Sequence, residues 1–249
     1  MIWAKGVRRA IAGTASAGLC AGLGLATPAV ADTMVVRASG PSAKSYPPGS
    51  KLSDGGSLLL KAGDMVTLLD AKGTRTLQGP GTFGVTAASV ARGNNVTLNA
   101  LLDTKRVRRA RTGAVRGNVS DGQAATPKRP NVWLVDVAQP GALCFADPAT
   151  VLLWRADASA PASVRITSDH AQATASFAAG AAMTAWPTTL PVADGAAYRI
   201  SLDAMATDIR FAQVTPTDPG LETVAAGLIA RGCDAQLNLL VDAAEQAKN

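Results

Sequence analysis

One histidine, His170, is the side chain best suited to acid–base chemistry in this chain of 249 residues. It follows Ser168 and Asp169, which together supply the residue types of a hydrolase triad, but neighbours in sequence do not thereby have triad geometry. A Gly-x-Ser-x-Gly elbow, a His-Glu-x-x-His motif, a Walker A loop and a dinucleotide fingerprint after a strand are all absent from the sequence. A single histidine also excludes a histidine-rich zinc site. We therefore expect His170 to be a solvated turn residue, the protein not to be an enzyme, and no cofactor to be bound.

Three aspartates and two tryptophans have types that suit ligand binding. Asp54, Asp64 and Asp70 carry the oxygens that calcium prefers, but their spacing is not that of a calcium loop. Because Asp is common in turns for backbone reasons, we expect turn residues and no metal site. Trp154 and Trp186 could form a glycan- or peptide-binding surface. The interpretation that they fill the core is favoured, since their half of the chain has few other large side chains.

A basic segment from Lys105 to Pro130 is the strongest candidate for binding. Eight Lys or Arg stand there against one acid, Asp121, a local charge of +7. Its Gly, Pro and like charges predict a flexible, solvated linker over residues 104–131. The charges could also bind lipopolysaccharide phosphates, anionic lipid or an acidic partner. The residues assigned to this possible anionic-surface site are Lys105, Arg106, Arg108, Arg109, Arg111 and Arg116.

The formal net charge of +6 comes from this segment and from the N-terminus. Without Lys5, Arg8 and Arg9 the charge is +3, and without the +7 of the basic segment the rest of the chain carries −4. We therefore expect no nucleic-acid partner, and the basic segment also lacks an aromatic platform on which bases could stack.

Residues 1–31 have the pattern of a secretory signal peptide. Lys5, Arg8 and Arg9 precede an apolar, charge-free run from Ile11 to Ala26, and Ala29-Val30-Ala31 offers a cleavage site. An uncleaved anchor is the alternative, for which the run is barely long enough. We expect a periplasmic or secreted protein with no transmembrane segment after removal of the signal.

Cysteine use agrees with export. Cys20 would leave with the signal, so that Cys144 and Cys233 remain and could pair in an oxidising compartment. The alternative is two buried free thiols.

The segment after the signal predicts short strands separated by turns, at Met34–Ala38, Ser57–Lys61, Met65–Asp70, Thr74–Leu77 and Thr82–Val85. Strands so closely spaced leave no room for crossover helices, so we expect an antiparallel meander that closes into a small barrel or sandwich. Asn94-Asn95 could cap a helix that runs through Leu102, although Val96 to Leu102 could equally be a strand.

Beyond the linker, strands are predicted at Val132–Val137, Gly141–Ala146, Val151–Ala156, Ala162–Thr167, Ala171–Phe177, Tyr198–Asp203 and Ile209–Val214. Seven short strands at this spacing suggest an immunoglobulin-like sandwich. Two helices should follow, the first beginning at Asp218-Pro219 and ending at Gly232, and the second running from Cys233 to Ala247. We expect them to form a hairpin on or beside the sandwich, tied by any Cys144–Cys233 bridge to the second strand.

The stretch GSKLSDGGSLLLKAGDMVTLLDAKGTRTLQGPGTFGV, from Gly49 to Val85, resembles the periplasmic β-module of FecR-type proteins. In that family a large apolar residue followed by Gly-Asp and a strand precedes a hairpin and an edge containing Gly-Pro. FecR-type regulators also carry a cytoplasmic anti-sigma segment before a membrane helix, whereas here only a short basic segment precedes the apolar run. The resemblance implies an envelope β-module without the regulator's cytoplasmic half. The two-module layout is also similar to uncharacterised exported proteins of alphaproteobacteria.

The expected fold class is thus mainly β, with two small antiparallel β modules, a FecR-like meander or barrel and an Ig-like sandwich, joined by a basic flexible linker, and with a C-terminal helical hairpin. The expected boundaries are 1–31 for the signal peptide, 32–103, 104–131, 132–216 and 217–249. The leading hypothesis is an exported, non-catalytic protein that binds or scaffolds an envelope protein partner or an anionic envelope surface. The alternative is a cell-envelope signalling component with a FecR-like sensor module.

Overall fold

The computed structural model describes residues 33–70, 73–86, 101–102, 129, 131–216 and 220–246. These residues belong to one compact unit of the chain. They are mainly β, with a C-terminal pair of helices, as the sequence predicted. Among them no helix combines the length and the apolar character needed to cross a membrane.

The first β module, residues 33–86, consists of two packed sheets. Its strands are β1 (Thr33–Ser39), β2 (Lys51–Leu52), β3 (Ser57–Leu60), β4 (Met65–Asp70), β5 (Gly73–Gln78) and β6 (Gly81–Gly84), with a short 3-10 helix at Ala43–Ser45. One sheet has the order β2-β1-β4-β5, the other pairs β3 with β6, and every pair is antiparallel. Leu58, Leu60, Val66 and Leu68 are among the side chains of the core between the two sheets.

The second β module, residues 131–216, also contains two sheets. Its strands are β7 (Val135–Asp136), β8 (Gly141–Phe145), β9 (Leu152–Trp154), β10 (Ala162–Thr167), β11 (Gln172–Phe177), β12 (Met183–Ala185), β13 (Ala197–Leu202) and β14 (Met205–Gln213), with a 3-10 helix at Pro148–Thr150. The sheet orders are β11-β10-β13-β14-β8 and β12-β9-β7. An aromatic core is formed by Phe145, Trp186, Tyr198 and Phe211. Their rings meet edge to face, with ring centroids 5.1 to 5.9 Å apart.

The prediction that both modules are antiparallel is wrong for two strand pairs of the second. β8 pairs in parallel with β14, and β7 pairs in parallel with β9. The parallel pairing of β8 is possible because a long stretch of chain separates it from β14, as a parallel connection requires. The strand predicted over Val132–Val137 is reduced to Val135–Asp136, since residues 132–134 form a turn in which Val132 and Trp133 pack against the helices. Strand β12 was not predicted.

Helices α1 (Leu221–Ala230) and α2 (Asp234–Gln246) form the predicted hairpin. Gly232, at the turn between them, has a φ of +68°, a conformation that glycine adopts without steric cost. Cys233 forms a disulfide with Cys144 in β8, with the two Cα atoms 5.9 Å apart. The bridge therefore ties the hairpin to the second predicted strand, as expected.

The hairpin contacts more than the second module. Its buried face shares one core with Met34, Val36 and Leu69 of the first module and with Cys144, Ala212 and Val214 of the second. We name this cluster the shared core. The expectation that the hairpin lies on or beside the sandwich is therefore incomplete, because the hairpin also covers the first sheet.

The chain on either side of the predicted linker meets at the same place. The backbone N–H of Val132 donates to the carbonyl of Leu101 at 3.1 Å, and the Trp133 indole N–H donates to the carbonyl of Leu102 at 2.9 Å. Leu101 and Leu102 are helical, as one of the two interpretations predicted, while the rest of that segment lies outside the described residues. Arg129, assigned by sequence to the linker, is buried and donates to the carbonyl of Leu134 at 3.2 Å. Burial lowers the pKa of its guanidinium, and the nearby Asp136 opposes that shift.

Candidate binding groove

A polar row crosses the first sheet on the face that the helices cover in part. Arg37 of β1 lies opposite Thr67 of β4, and Thr67 lies opposite Thr76 of β5. A change of register between Val35 and Arg37 places Val36 in the shared core and Arg37 in the row. The three side chains thus lie beside one another because of strand register, although they are far apart in sequence.

Helix α2 supplies the opposite wall. Asn238, Asp242 and Glu245 have spacings of four and three residues, which place them on one side of a helix. One Arg37 nitrogen, Nη2, donates to Asn238 Oδ1 at 2.7 Å and to Asp242 Oδ1 at 3.3 Å. The Thr76 hydroxyl donates to Glu245 Oε1 at 3.0 Å.

The hydroxyl oxygens of Thr67 and Thr76 are 3.0 Å apart and share a hydrogen bond. Which of the two donates follows from the other bond that Thr76 makes. A hydroxyl has one proton to donate, and that of Thr76 goes to Glu245. Thr67 must therefore donate to Thr76. The chain of hydrogen bonds begins in the sheet and ends on the carboxylate of α2.

An open cavity of about 400 Å³ lies between these walls, lined by Arg37, Met65, Thr67, Thr74, Thr76 and Glu245. We call it the groove. Met65 is 40% exposed and contributes an apolar surface to the cavity. The Thr74 hydroxyl is buried and makes no hydrogen bond within the part of the chain that the structure describes. The groove therefore offers an apolar contact, hydroxyls and one side chain of each charge to a bound group.

Asp64 directly precedes the groove strand β4 and holds it in place. It is 2% exposed and accepts hydrogen bonds from the backbone N–H groups of Ser42 at 2.8 Å and of Lys61 at 2.5 Å. Burial by itself raises the pKa of this carboxyl, but the hydrogen bonds from Ser42 and Lys61 outweigh it and bring the pKa below its ordinary value. Asp64 is thus a turn residue, as predicted.

The aspartates considered for calcium do not come together. Asp54 is exposed in the turn before β3, Asp64 is buried, and Asp70 ends β4. Across the described ranges no three His, Cys, Asp or Glu side chains cluster closely enough to hold a metal ion.

His170 lies exposed in the turn between β10 and β11, where the sequence placed it. The Ser168 hydroxyl accepts from the backbone N–H of Ala171 at 3.2 Å, a turn interaction of a common kind. Within the described part of the chain, the hydrogen bonds of the Ser168 side chain go to the Ala171 backbone, and none joins Ser168, Asp169 and His170 into a relay.

Both tryptophans considered for a binding surface are buried, Trp154 at 5% and Trp186 at 6% exposure. The Trp186 indole N–H donates to the carbonyl of Leu190 at 2.9 Å. The interpretation that they fill the core is therefore confirmed. The linker residues assigned to an anionic surface, Lys105, Arg106, Arg108, Arg109, Arg111 and Arg116, lie outside the described residues.

Sequence reasoning missed every residue that lines the groove. One signal was present: β5 (GTRTLQ) carries two threonines, Thr74 and Thr76, at alternate positions. Such spacing places them on one face, but it does not indicate which segment faces them. That Glu245, at the far end of the chain, closes the groove follows from tertiary structure alone.

No known family, curated protein or solved structure matches the chain.

Proposed function

We propose that the protein is an exported, non-catalytic binding or scaffolding protein of the bacterial envelope, and that the groove is where it holds its partner. The observation that carries the proposal is an open cavity with Arg37 on one wall and Glu245 on the other. A partner that presents a hydrogen-bond acceptor to Arg37 and a donor to Glu245 would complement both walls. The exposed Met65 adds apolar contact at the edge of the cavity.

Export is supported by the disulfide and by the signal-like N-terminus. Cys144 and Cys233 are both fully buried in the shared core, and such structural bridges persist in oxidising compartments. A binding site next to a core that contains a disulfide suits a protein that must stay folded outside the cytoplasm.

The test is capture of partners from envelope extracts by the purified protein. Met65→Arg fills the groove and should abolish capture, whereas Met205→Arg should not. Met205 is a matched control because it is also an exposed methionine, at 51%, and lies at the start of β14, away from the groove. Capture that survives Met65→Arg would place the partner elsewhere. A purified protein that turns over a substrate, with loss of turnover on changing His170 or an aspartate, would reject a non-catalytic role.

We propose a FecR-like first module and an immunoglobulin-like second one. In favour of the first, Gly49 to Val85 forms consecutive antiparallel strands with the Gly79-Pro80 step before β6. In favour of the second, a five-stranded and a three-stranded sheet enclose an aromatic core.

A FecR-like module would also support the alternative, a signalling component that senses a membrane partner. Gene neighbourhood discriminates between the two roles: a sigma factor or receptor gene next to this one favours signalling, and their absence across related genomes counts against it.

A further inference from the structure

The outer face of the five-stranded sheet is divided into a covered half and an open half. Towards the C-terminal end of β14, Ala212 and Val214, with Cys144 of the neighbouring β8, pack against the helical hairpin in the shared core. Towards its N-terminal end, Asp208 and Arg210 lie on the same face, because side chains alternate along a strand, and both are exposed. The open half continues across β13, β10 and β11.

The exposed cationic side chains of the second module all lie on this open half. Residues 131–216 contain four arginines, no lysine and seven aspartates. Arg155 is buried and donates to the carbonyls of Ala160 and Ala178 at 2.7 and 3.1 Å. The other three, Arg165, Arg199 and Arg210, are all exposed and lie on the open half. An acidic module thus presents its exposed cations on one side.

The strand register arranges these three arginines on a diagonal. Arg165 of β10 lies opposite Ser201, two residues from Arg199 in β13. Arg210 of β14 lies opposite Ala197, two residues from Arg199 in the other direction. Each step therefore crosses one strand and advances two residues, which separates successive Cα atoms by roughly 8 Å. We call this row the arginine stripe.

The stripe's own contacts are weak enough to be exchanged for a ligand. Arg199 Nη1 contacts Asp208 at 3.1 Å, but both side chains are more than half exposed, at 57% and 72%. Arg210 Nη1 donates to the carbonyl of Gly195 at 3.1 Å. Ion pairs this exposed contribute little in water. Thr167, Thr174 and Ser201 lie directly opposite stripe arginines and add hydroxyls to the same surface.

We propose that the arginine stripe binds a linear anionic polysaccharide. A straight row of cations flanked by hydroxyls matches a chain molecule that carries anions at intervals and hydroxyls between them. Single-stranded nucleic acid is a poorer match because all seven aromatic side chains of residues 131–216 are buried, leaving no stacking platform. A membrane is a poorer match because the face carries no large exposed apolar side chain to insert. The choice of a polysaccharide rests on the proposed export, whereas the position of the site does not.

The test uses the full chain with Arg106, Arg108, Arg109 and Arg111 changed to Ser in every variant, which lowers the charge of the basic segment from +7 to +3 and so weakens its own binding of the probe. Binding of polygalacturonate is measured by titration calorimetry at several salt concentrations. Changing Arg165, Arg199 and Arg210 to Gln should weaken binding about tenfold or more and should make the salt dependence shallower by about two to three units of log–log slope. Asp208→Asn should strengthen binding about threefold, because it removes the anion within the stripe.

A control variant removes the same charge elsewhere, by the changes Lys44→Gln, Lys51→Gln and Lys61→Gln. These three lysines are exposed on the first module, so their loss should leave the binding constant within about twofold of the unmodified value. Thermal unfolding of each variant verifies that the fold is retained. Equal loss in the control and stripe variants, or no loss in the stripe variant, overturns the proposal. Stripe-dependent binding that is tighter to oligothymidylate or to phosphatidylglycerol vesicles than to polygalacturonate also overturns it. Cell fractionation tests export separately, so the two failures are distinguishable.

Discussion

At the scale of single residues, two buried polar side chains hold backbone that strand pairing leaves unsatisfied. Asp64 accepts from the backbone of Ser42 and Lys61 at the start of β4. Gly40 is needed beside it, since its φ is +99° and an added Cβ would lie 2.6 Å from Asp64 Oδ1. Gln236 plays the equivalent part in the shared core. In both cases the side chain replaces a backbone partner, and a buried backbone group without one is costly.

Asp64 makes stability depend on pH in a defined direction. Its pKa is lower in the folded protein than the value of about 3.9 for a free aspartate. The stabilisation from its ionised form is therefore fully present above about pH 4 and is lost as the pH falls through the folded pKa. We expect Asp64→Asn to be less stable at pH 7 by several degrees of unfolding midpoint and to lose this part of the acid dependence.

The measurement is thermal unfolding between pH 2.5 and pH 7. Asp54→Asn is the control, because Asp54 is also a turn aspartate of the first module but is exposed. An acid profile that is the same for wild type and Asp64→Asn would contradict the role assigned to Asp64.

Gln236 completes the free edge of β8. Its side chain accepts from the Cys144 N–H at 2.6 Å and donates to the carbonyls of Cys144 and Val132 at 2.8 Å each. Gln236→Leu keeps the approximate size but leaves these buried groups unpaired, so we expect a loss of about 2–4 kcal/mol of unfolding free energy. Urea unfolding measures it. Gln172→Leu, at an exposed strand position, should change stability by less than about 0.5 kcal/mol, and a similar loss in both variants would argue against the edge role.

At the scale of elements, the close approach of α1 to Val214, the residue that follows β14, depends on a missing side chain. A Cβ added to Gly227 would lie 2.5 Å from Val214 Cγ1. Val214 is 6% exposed, so it has little room to move. Alanine favours a helix over glycine by about 1 kcal/mol, but overpacking a core costs about 1–3 kcal/mol, and we expect the steric cost to prevail.

Gly227→Ala should therefore destabilise the protein, and Val214→Ala in the same chain should rescue part of the loss. A double-mutant cycle by chemical unfolding measures this coupling. Additive effects of the two changes would mean that the helix shifts freely, contrary to a tight contact between Gly227 and Val214.

One strand edge is closed by a side chain. The Tyr46 hydroxyl accepts from the Leu59 N–H at 2.9 Å and donates to its carbonyl at 3.2 Å. Leu59 is 65% exposed. Without the tyrosine, this edge would present an apolar side chain and unpaired backbone groups to other chains. The tyrosine satisfies this backbone without requiring another strand.

At the scale of the whole molecule, the helical hairpin joins the two β modules. Its buried face packs on both, Arg37 and Thr76 of the first module bond to α2, and the disulfide attaches the hairpin to the second. The backbone of Leu101 and Val132 is joined by a hydrogen bond. The predicted linker therefore does not set a distance between two separate modules, since the chain on its two sides is already held together.

This arrangement predicts that cutting the linker leaves the protein assembled. A protease site placed after Gly117 and cleaved in the purified protein should give two fragments that elute together in size-exclusion chromatography, because α1 and α2 remain packed on the first sheet. The same cut in a Met34→Asp variant should let the fragments separate, since Met34 is 4% exposed in the shared core. Separation of the fragments in the unmutated sequence would show that the linker, rather than the hairpin, holds the modules together.

The sequence by itself determined the features that depend on neighbouring residues. Alternating apolar residues and Gly, Pro or Asp turns located most strands, with Met65–Asp70 and Ala162–Thr167 matched at both ends. Gly232 marked the turn between the helices, and the two remaining cysteines indicated the bridge. The strands β7 and β12 were shortened or missed because two or three residues carry too little pattern to distinguish a strand from a turn.

Only the tertiary structure decided which remote segments meet. The parallel pairing of β8 with β14, the placement of α2 across the first sheet, and the groove between Arg37 and Glu245 join positions far apart along the chain. These contacts arise because the hairpin's apolar face must be buried and two sheets offer matching apolar surfaces. The spacing of apolar residues within one segment does not show which distant segment will cover them. The same separation explains the candidate site: the alternate spacing of Thr74 and Thr76 could be recognised in the sequence, whereas their proximity to Glu245 could not.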